Sequence, residues 1–224
     1  MALLSNLELI RRVPLFAQLS TSQAEALVGA VTKQRFKRGE CIVTQGQTSN
    51  ALFILLTGRA RVLMSDKRDR EVILASMQAG DHVGEMSLID GEPHSATVQA
   101  EIMTDTLVLG RKDFLRCLSE NSAMAHSVMR ELVHRLRVAD HKIGSLALMG
   151  VYARVANVML ESAVADTGGG LLIPHKVSRQ DVAKMVGASR EMVSRVMKDF
   201  EEQGFLQTLD QGLIRVHDRR QAPR

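Results

Sequence analysis

The chain has 224 residues, 45% of them apolar and 24% charged, with 4 prolines and a formal net charge of +4. That length holds two domains, each able to close an apolar core, and that composition excludes a disordered or low-complexity chain. Its two cysteines, Cys41 and Cys117, are too few for a structural zinc site or a cysteine-held iron–sulfur cluster, so no metal is expected.

In MALLSNLELIRRVP the charges follow the apolar stretch, unlike a secretory signal, and no later run approaches the roughly 18–20 apolar residues of a membrane span. A cytoplasmic protein with no membrane partner is expected. From about Leu7 to Val31 the apolar residues fall at helical spacing, and Ser20 or Thr21 is placed to cap a helix over QAEALVGAV. Between Gln34 and Leu109 short β-rich runs follow one another, CIVTQ, ALFILL, ARVLMS, EVILASM and ATVQAE, divided by glycines, which predicts a barrel or sandwich. The polar run SDKRDRE between two of them reads as a hairpin tip.

Helical periodicity returns at Lys112. From Ala125 the positions Ala125, Val128, Leu132, Leu136, Ala139, Ile143, Leu146 and Gly150 step by three or four, the seam of a helix that pairs with a second copy of itself; packing on the chain's own β-domain is the alternative, and both can hold in part. A further helix is expected from Tyr152 to about Ala165, then a loop at DTGGG, two closely spaced helices and a hairpin turning at Asp210-Gln211-Gly212.

The segment VSRQDVAKMVGASREMVSRVMKDFEEQGFL has the pattern of a helix-turn-helix. Ser178 caps a first helix, Gly187 breaks it, Ala183 is small enough for two helices to cross closely, and Val193 and Val196 seat the second helix. Ser189 caps that second helix, whose first turn presents Arg190 and Glu191, with Arg195 one turn on. Arginine can make two bonds to guanine O6 and N7 and glutamate can accept from cytosine N4, so these three are the candidate base readers of double-stranded DNA. Arg179 and Lys198, with Lys176 and Arg215, are candidates for phosphate contact, and the capping residues Ser178 and Ser189 belong to the same candidate DNA-binding set. The alternative is a solvated helix face in which Glu191 and Arg195 pair at i,i+4. From Val151 onward 11 Lys and Arg stand against 9 Asp and Glu, an excess too mild to point to DNA by charge alone.

With these motifs the chain resembles the family of the cyclic AMP receptor protein and the fumarate-nitrate regulator. SRQDVAKMVGASREMVSRVMKDFEEQG follows that family's recognition helices, while FKRGECIVTQGQ, LFILLTGRARV and GDHVGEMSLIDGEPHSATV follow its β-roll. The resemblance implies an α+β protein: a cyclic-nucleotide-binding β-roll (jelly roll) with N-terminal helices over residues 1–121, a long dimerisation helix over 122–149, and a winged helix-turn-helix over 150–224. It implies a ligand-gated transcription regulator that binds a pseudo-palindromic promoter site as a homodimer, and it admits RNA polymerase as a partner.

The stretch GEMSLIDGEPHSAT corresponds to the family's phosphate-binding cassette, which makes Gly84, Glu85, Met86, His94, Ser95 and Ala96 candidate ligand residues. Gly84 would let backbone approach a ligand, Glu85 would accept from a ribose 2′-hydroxyl, and the amides and hydroxyl at Ser95 and Ala96 would cradle a phosphate. Two departures concern the effector. His94 stands where the family has an arginine for the cyclic phosphate, and Ala139 and Asp140 stand where the cyclic AMP receptor has two hydroxyl residues facing adenine. Asp140, a double acceptor, suits the N1 and N2 donors of guanine, so cyclic di-GMP or another guanine nucleotide is expected ahead of cyclic AMP. Arg135, Arg137 or Lys142 would supply the missing cation.

Two alternatives stay open: a heme- or otherwise effector-sensing regulator of the same fold, using His82, His94, His126, His134 or His141, and a nucleotide-binding module without a DNA role. An enzyme is not expected, because G-x-S-x-G, H-E-x-x-H and P-loop patterns are missing and Glu201-Glu202 fall on a solvent-facing helix.

Overall fold

The computed structural model describes residues 6–68, 70–166, 170–209 and 212–217. These fall into two compact units that meet between Leu136 and Arg137, inside one long helix.

The first unit opens with helix α1 (Asn6–Arg12), a 3-10 turn at Pro14–Phe16 and α2 (Thr21–Val28). Ser20 caps α2 and is itself capped in return by Gln23, so two orphan donors of the helix end are satisfied. The predicted helical stretch ends sooner than its periodicity suggested. After Gly29 and Ala30 the chain is already in strand β1 (Val31–Phe36), where Val31 and Phe36 are buried and the four polar residues between them are exposed.

Two four-stranded antiparallel sheets make the β-roll. One has the order β1, β8 (Thr104–Gly110), β3 (Ala51–Thr57), β6 (His82–Val83); the other runs β2 (Cys41–Val43), β7 (Thr97–Ala100), β4 (Arg59–Ser65), β5 (Glu71–Gln78). Strand β3 shows why its sequence, ALFILLT, is apolar without alternation. Phe53 and Leu55 pack between the sheets with Phe36, Val43, Ala60, Met77 and Val98, while Leu52 and Ile54, on the opposite face, pack under the helices with Leu88, Phe114, Met124 and Val128. A strand covered on both faces needs apolar side chains in both phases.

Between β6 and β7 lies the short helix α3 (Glu85–Asp90). Gly84, which precedes it, has φ +102, and a Cβ there would lie 2.6 Å from the Ala51 carbonyl oxygen. The close backbone approach that Gly84 permits is thus to β3, which anchors α3 to the sheet. Helix α4 (Arg111–Glu120) and the part of α5 (Ser122–Leu148) up to Leu136 complete the unit.

Along α5 the predicted seam divides. Val128 is buried and Leu132 partly buried against the β-roll, whereas Met129, Val133, Leu136 and Ile143 are exposed. The exposed strip is therefore one residue out of phase with the inward one, and its steps of four, three and seven place Asp140, also exposed, between Leu136 and Ile143.

In the second unit α6 (Val151–Glu161) is shorter than expected, because the chain turns at Ser162 into β9 (Val164–Ala165). Strand β10 (Leu171–Ile173), helices α7 (Arg179–Val186) and α8 (Arg190–Glu202), and strands β11 (Leu206–Thr208) and β12 (Ile214–Val216) follow, with sheet order β11, β12, β10, β9. Of the expected hairpin tip, Asp210 and Gln211 lie outside the described residues, as does the middle of DTGGG. Val155, Met159, Ile173, Val182, Val186, Val193, Val196 and Leu206 form a separate core, so α7 and α8 are clamped between α6 and the small sheet.

Replacing Gly84 by Ala should cost about 1–3 kcal/mol of unfolding free energy, because a Cβ would collide with backbone at a residue already in a glycine-favoured conformation. Urea unfolding of Gly84→Ala beside wild type measures this, and equal midpoints would contradict the packing described.

Candidate effector and DNA-binding sites

In the cassette, Glu85 begins α3 directly after β6 and is only 1% exposed. Its Oε1 receives Arg135 Nη1 at 2.7 Å, while Arg135 Nη2 donates to the His82 carbonyl at 2.7 Å and Nε donates to Glu131 Oε1 at 2.9 Å. One guanidinium from α5 is thus spent on three acceptors of the chain, across β6, α3 and its own helix. Burial pushes the Glu85 carboxyl above its ordinary pKa, which Arg135 offsets only in part. Glu85 Oε2 is buried and has no hydrogen-bond partner among the described residues.

His82, directly under this clamp, is a residue that motif reading passed over except as one of several histidines. Its Nε2 is also buried, without a partner among the described residues, and burial, reinforced by the Arg135 charge, holds its pKa down at about 4.

His94 is buried too. Its Nδ1 lies 3.0 Å from Ser87 Oγ and its Nε2 lies 2.9 Å from Ser49 Oγ, so one ring nitrogen donates and the other accepts, and burial lowers its pKa below the ordinary value. Its backbone also bonds across to Gln47 O and Gly46 N. His94 is neutral at physiological pH and ties the cassette turn to the loop after β2. Ser49 could not have been paired with it from sequence, 45 residues away. Met86 and Ser95 are exposed, and Ala96 is buried at the start of β7.

The remaining predicted ligand residues, Ala139 and Asp140, are exposed on α5. Of the cations considered for the phosphate, Arg135 is at the cassette but committed to the contacts above, Arg137 is exposed, and Lys142 is half-buried with its pKa lowered by burial. Among the described residues no group of three or more His, Cys, Asp or Glu is placed to hold a metal.

In the second unit the helix-turn-helix forms as its residues dictate. Ser178 Oγ accepts from Asp181 N and donates to Asp181 Oδ2, Ser189 Oγ accepts from Met192 N, and Gly187 takes the left-handed conformation, φ +62, that ends α7. Both serines therefore act as caps. Val182, Ala183, Val193, Val196 and Met197 are buried, leaving Arg190, Glu191 and Arg195 exposed on α8. The i,i+4 pair that the alternative of a solvated face would make between Glu191 and Arg195 is not formed among the described residues. Glu191 turns back instead to its own backbone N–H and the Ser189 hydroxyl, which lower its pKa. Arg179 is exposed, Lys198 pairs loosely with Glu202 at 3.5 Å, and Arg215 reaches Asp166 at 3.3 Å.

The low pKa of His82 carries a sign. Between about pH 6.5 and about 4 the unfolded chain binds a proton that the folded state refuses, so this group withdraws stability as the pH falls, by up to about 3 kcal/mol at the end of the window. Glu85, whose pKa is raised, acts in the opposite sense over its own range, so the comparison must be made by variant. Urea unfolding of wild type and His82→Phe at about pH 7 and about pH 4.5 should show a smaller acid loss in the variant. Equal losses would contradict the buried, uncharged His82.

Comparison with known proteins matches a domain in each unit. The cyclic nucleotide-binding domain matches residues 33–121 and the Crp-like helix-turn-helix domain matches residues 153–221. The chain is 29% identical over 191 residues to the cAMP-activated global transcriptional regulator Vfr of Pseudomonas aeruginosa, covering 81% of this chain and 88% of that one. Against the catabolite activator protein of Thermus thermophilus it is 30% identical, with 91% and 93% of the two chains covered and a TM-score of 0.54. The c-di-GMP responsive regulator CLP of Xanthomonas campestris shares the fold, with a TM-score of 0.77 at 20% identity over 89% of this chain and 100% of that one. Sequence, architecture and relatives agree that the chain belongs to the family of the cyclic AMP receptor protein and fumarate-nitrate regulator, a family of transcription regulators and not of enzymes.

Proposed function

We propose that the protein is a DNA-binding transcription regulator that works as a homodimer and answers to a guanine-bearing cyclic nucleotide, with cyclic di-GMP the leading candidate. The observation that carries the DNA reading is the exposure of Arg190, Glu191 and Arg195 on a helix whose opposite face, Val193, Val196 and Met197, is buried and whose start is fixed by the Ser189 cap. Free arginines at the start of such a helix match the edges of guanine in the major groove, and Arg179 and Lys198 match flanking phosphates. Pairing of two copies is supported by the apolar strip Met129, Val133, Leu136 and Ile143, which nothing in the chain's own core covers. A cytoplasmic location follows from this role.

Two features favour a cyclic nucleotide recognised through its base and sugar over one held by its phosphate. Glu85 Oε2 is a buried acceptor without a donor, which suits a ribose hydroxyl, whereas the cassette offers no free cation: His94 is neutral and bonded at both nitrogens, and Arg135 is spent. Asp140 is an exposed carboxylate inside the apolar strip. There it would face its own counterpart in a second copy, a repulsion that paired guanine N1 and N2 donors would relieve. That some relatives are activated by cyclic AMP, as Vfr is, defines the competing outcome.

Calorimetry of the purified protein against cyclic AMP, cyclic GMP and cyclic di-GMP, followed by DNA binding with each, tests both halves. Preferred binding of a guanine nucleotide, abolished in Asp140→Ala and changing DNA affinity by roughly 5- to 150-fold, is expected. Each of Arg190→Ala and Arg195→Ala should cost about 1–3 kcal/mol of sequence-specific binding. Preference for cyclic AMP would sink the guanine assignment, and unchanged DNA binding by the double alanine variant would sink the DNA reading.

A further inference from the structure

Tyr152 lies in the first turn of α6, and its hydroxyl donates to Asp199 Oδ2 on α8. The direction of the ring is set by aromatic packing: its edge meets Phe200 at 5.9 Å between centroids, and Phe200 meets Phe205 in the same way at 5.0 Å. Asp199 stands four residues after Arg195, so both lie on one face of α8, at the spacing where arginine and aspartate ordinarily pair on a helix. They do not pair: among the described residues no ion pair joins them, and α8 has its pair at Lys198 and Glu202 instead. The Asp199 hydrogen bond raises the pKa of Tyr152, and the charge of Arg195 works against that rise.

Resting on the reading of Arg195 as a base-contacting residue, we propose that Tyr152 is a positioning residue for sequence recognition: its hydroxyl occupies Asp199 and so keeps that carboxylate from claiming Arg195. The consequence is chemical. An arginine folded onto a carboxylate one turn along its own helix presents neither its full charge nor its bidentate edge to guanine, whereas an arginine whose neighbour is already occupied can do both. Tyr152 thereby acts on DNA through Arg195 without touching it, from a helix outside the recognition motif.

The test uses a duplex selected by the full-length wild-type protein from a randomised pool, in the presence of cyclic AMP, cyclic GMP and cyclic di-GMP together, and reads the ratio of affinities for that duplex and a scrambled one. Tyr152→Phe keeps the ring on Phe200 and should lower this ratio about three- to tenfold. Adding Asp199→Asn to Tyr152→Phe should restore it, because the freed competitor for Arg195 is gone. Loss of a merely structural tie would leave the double variant no better than the single one, and that result, or an unchanged ratio in Tyr152→Phe where Arg195→Ala collapses it, overturns the inference. An unchanged ratio in Arg195→Ala overturns the underlying DNA reading, and the inference with it. A second readout is independent of DNA. The chain has one tyrosine and no tryptophan, so its intrinsic emission belongs to Tyr152, and Asp199→Asn should raise that emission by removing the quenching carboxylate. Emission unchanged by Asp199→Asn would overturn the hydrogen bond on which the inference stands.

Discussion

A carboxylate at 1% exposure needs a cation within reach, and Glu85 finds one fifty residues along the chain, in Arg135. Removing a charge from water costs several kcal/mol unless it is paired and hydrogen-bonded, so the pair is a condition for the cassette to fold with Glu85 inside. Arg135 also donates to the His82 carbonyl, so two bonds from one side chain tie α5 to β6 and α3, while its bond to Glu131 on the same helix holds the guanidinium in place. On the same stretch of helix Val128 and Leu132 face the β-roll, and Met129, Val133 and Leu136 are exposed.

The same contact shapes what the sensor unit can recognise. A guanidinium that satisfies two carboxylates and a carbonyl is not at the disposal of a ligand phosphate, and His94, held between Ser49 and Ser87, contributes no charge. What the cassette keeps in reserve is an acceptor, Glu85 Oε2. The DNA-binding unit is organised the other way round: its acids are occupied locally, Asp181 by Ser178, Asp199 by Tyr152 and Glu201 by Thr208, while Arg190 and Arg195 stay free of ion pairs among the described residues.

Most of the architecture was legible because it rests on local rules. The Ser20, Ser178 and Ser189 caps, the left-handed Gly187, the doubly apolar β3 and the helical steps of α5 each express a requirement met within a few residues. Boundaries were less so: nothing local tells Val31 that it belongs to β1, since its pairing partner Leu109 is 78 positions away. The same limit governs the sites. Glu131 and Arg135 could be paired by i,i+4 spacing, but the joins of Arg135 to Glu85, His94 to Ser49 and Tyr152 to Asp199 cross 45 to 50 residues and depend on tertiary packing. At Gly84 the sequence shows that a close approach is needed without showing to what; a Cβ there would meet the Ala51 carbonyl.

The Glu85–Arg135 pair is tested most directly by a double-mutant cycle on unfolding free energy, with Glu85→Gln, Arg135→Met and the two combined. Removing Arg135 alone strands a buried carboxylate, so the single variant should lose more stability than the double one, with a coupling energy of about 1–3 kcal/mol, tempered because the arginine side chain is about a third exposed. Effects that add to within about 0.5 kcal/mol would contradict it.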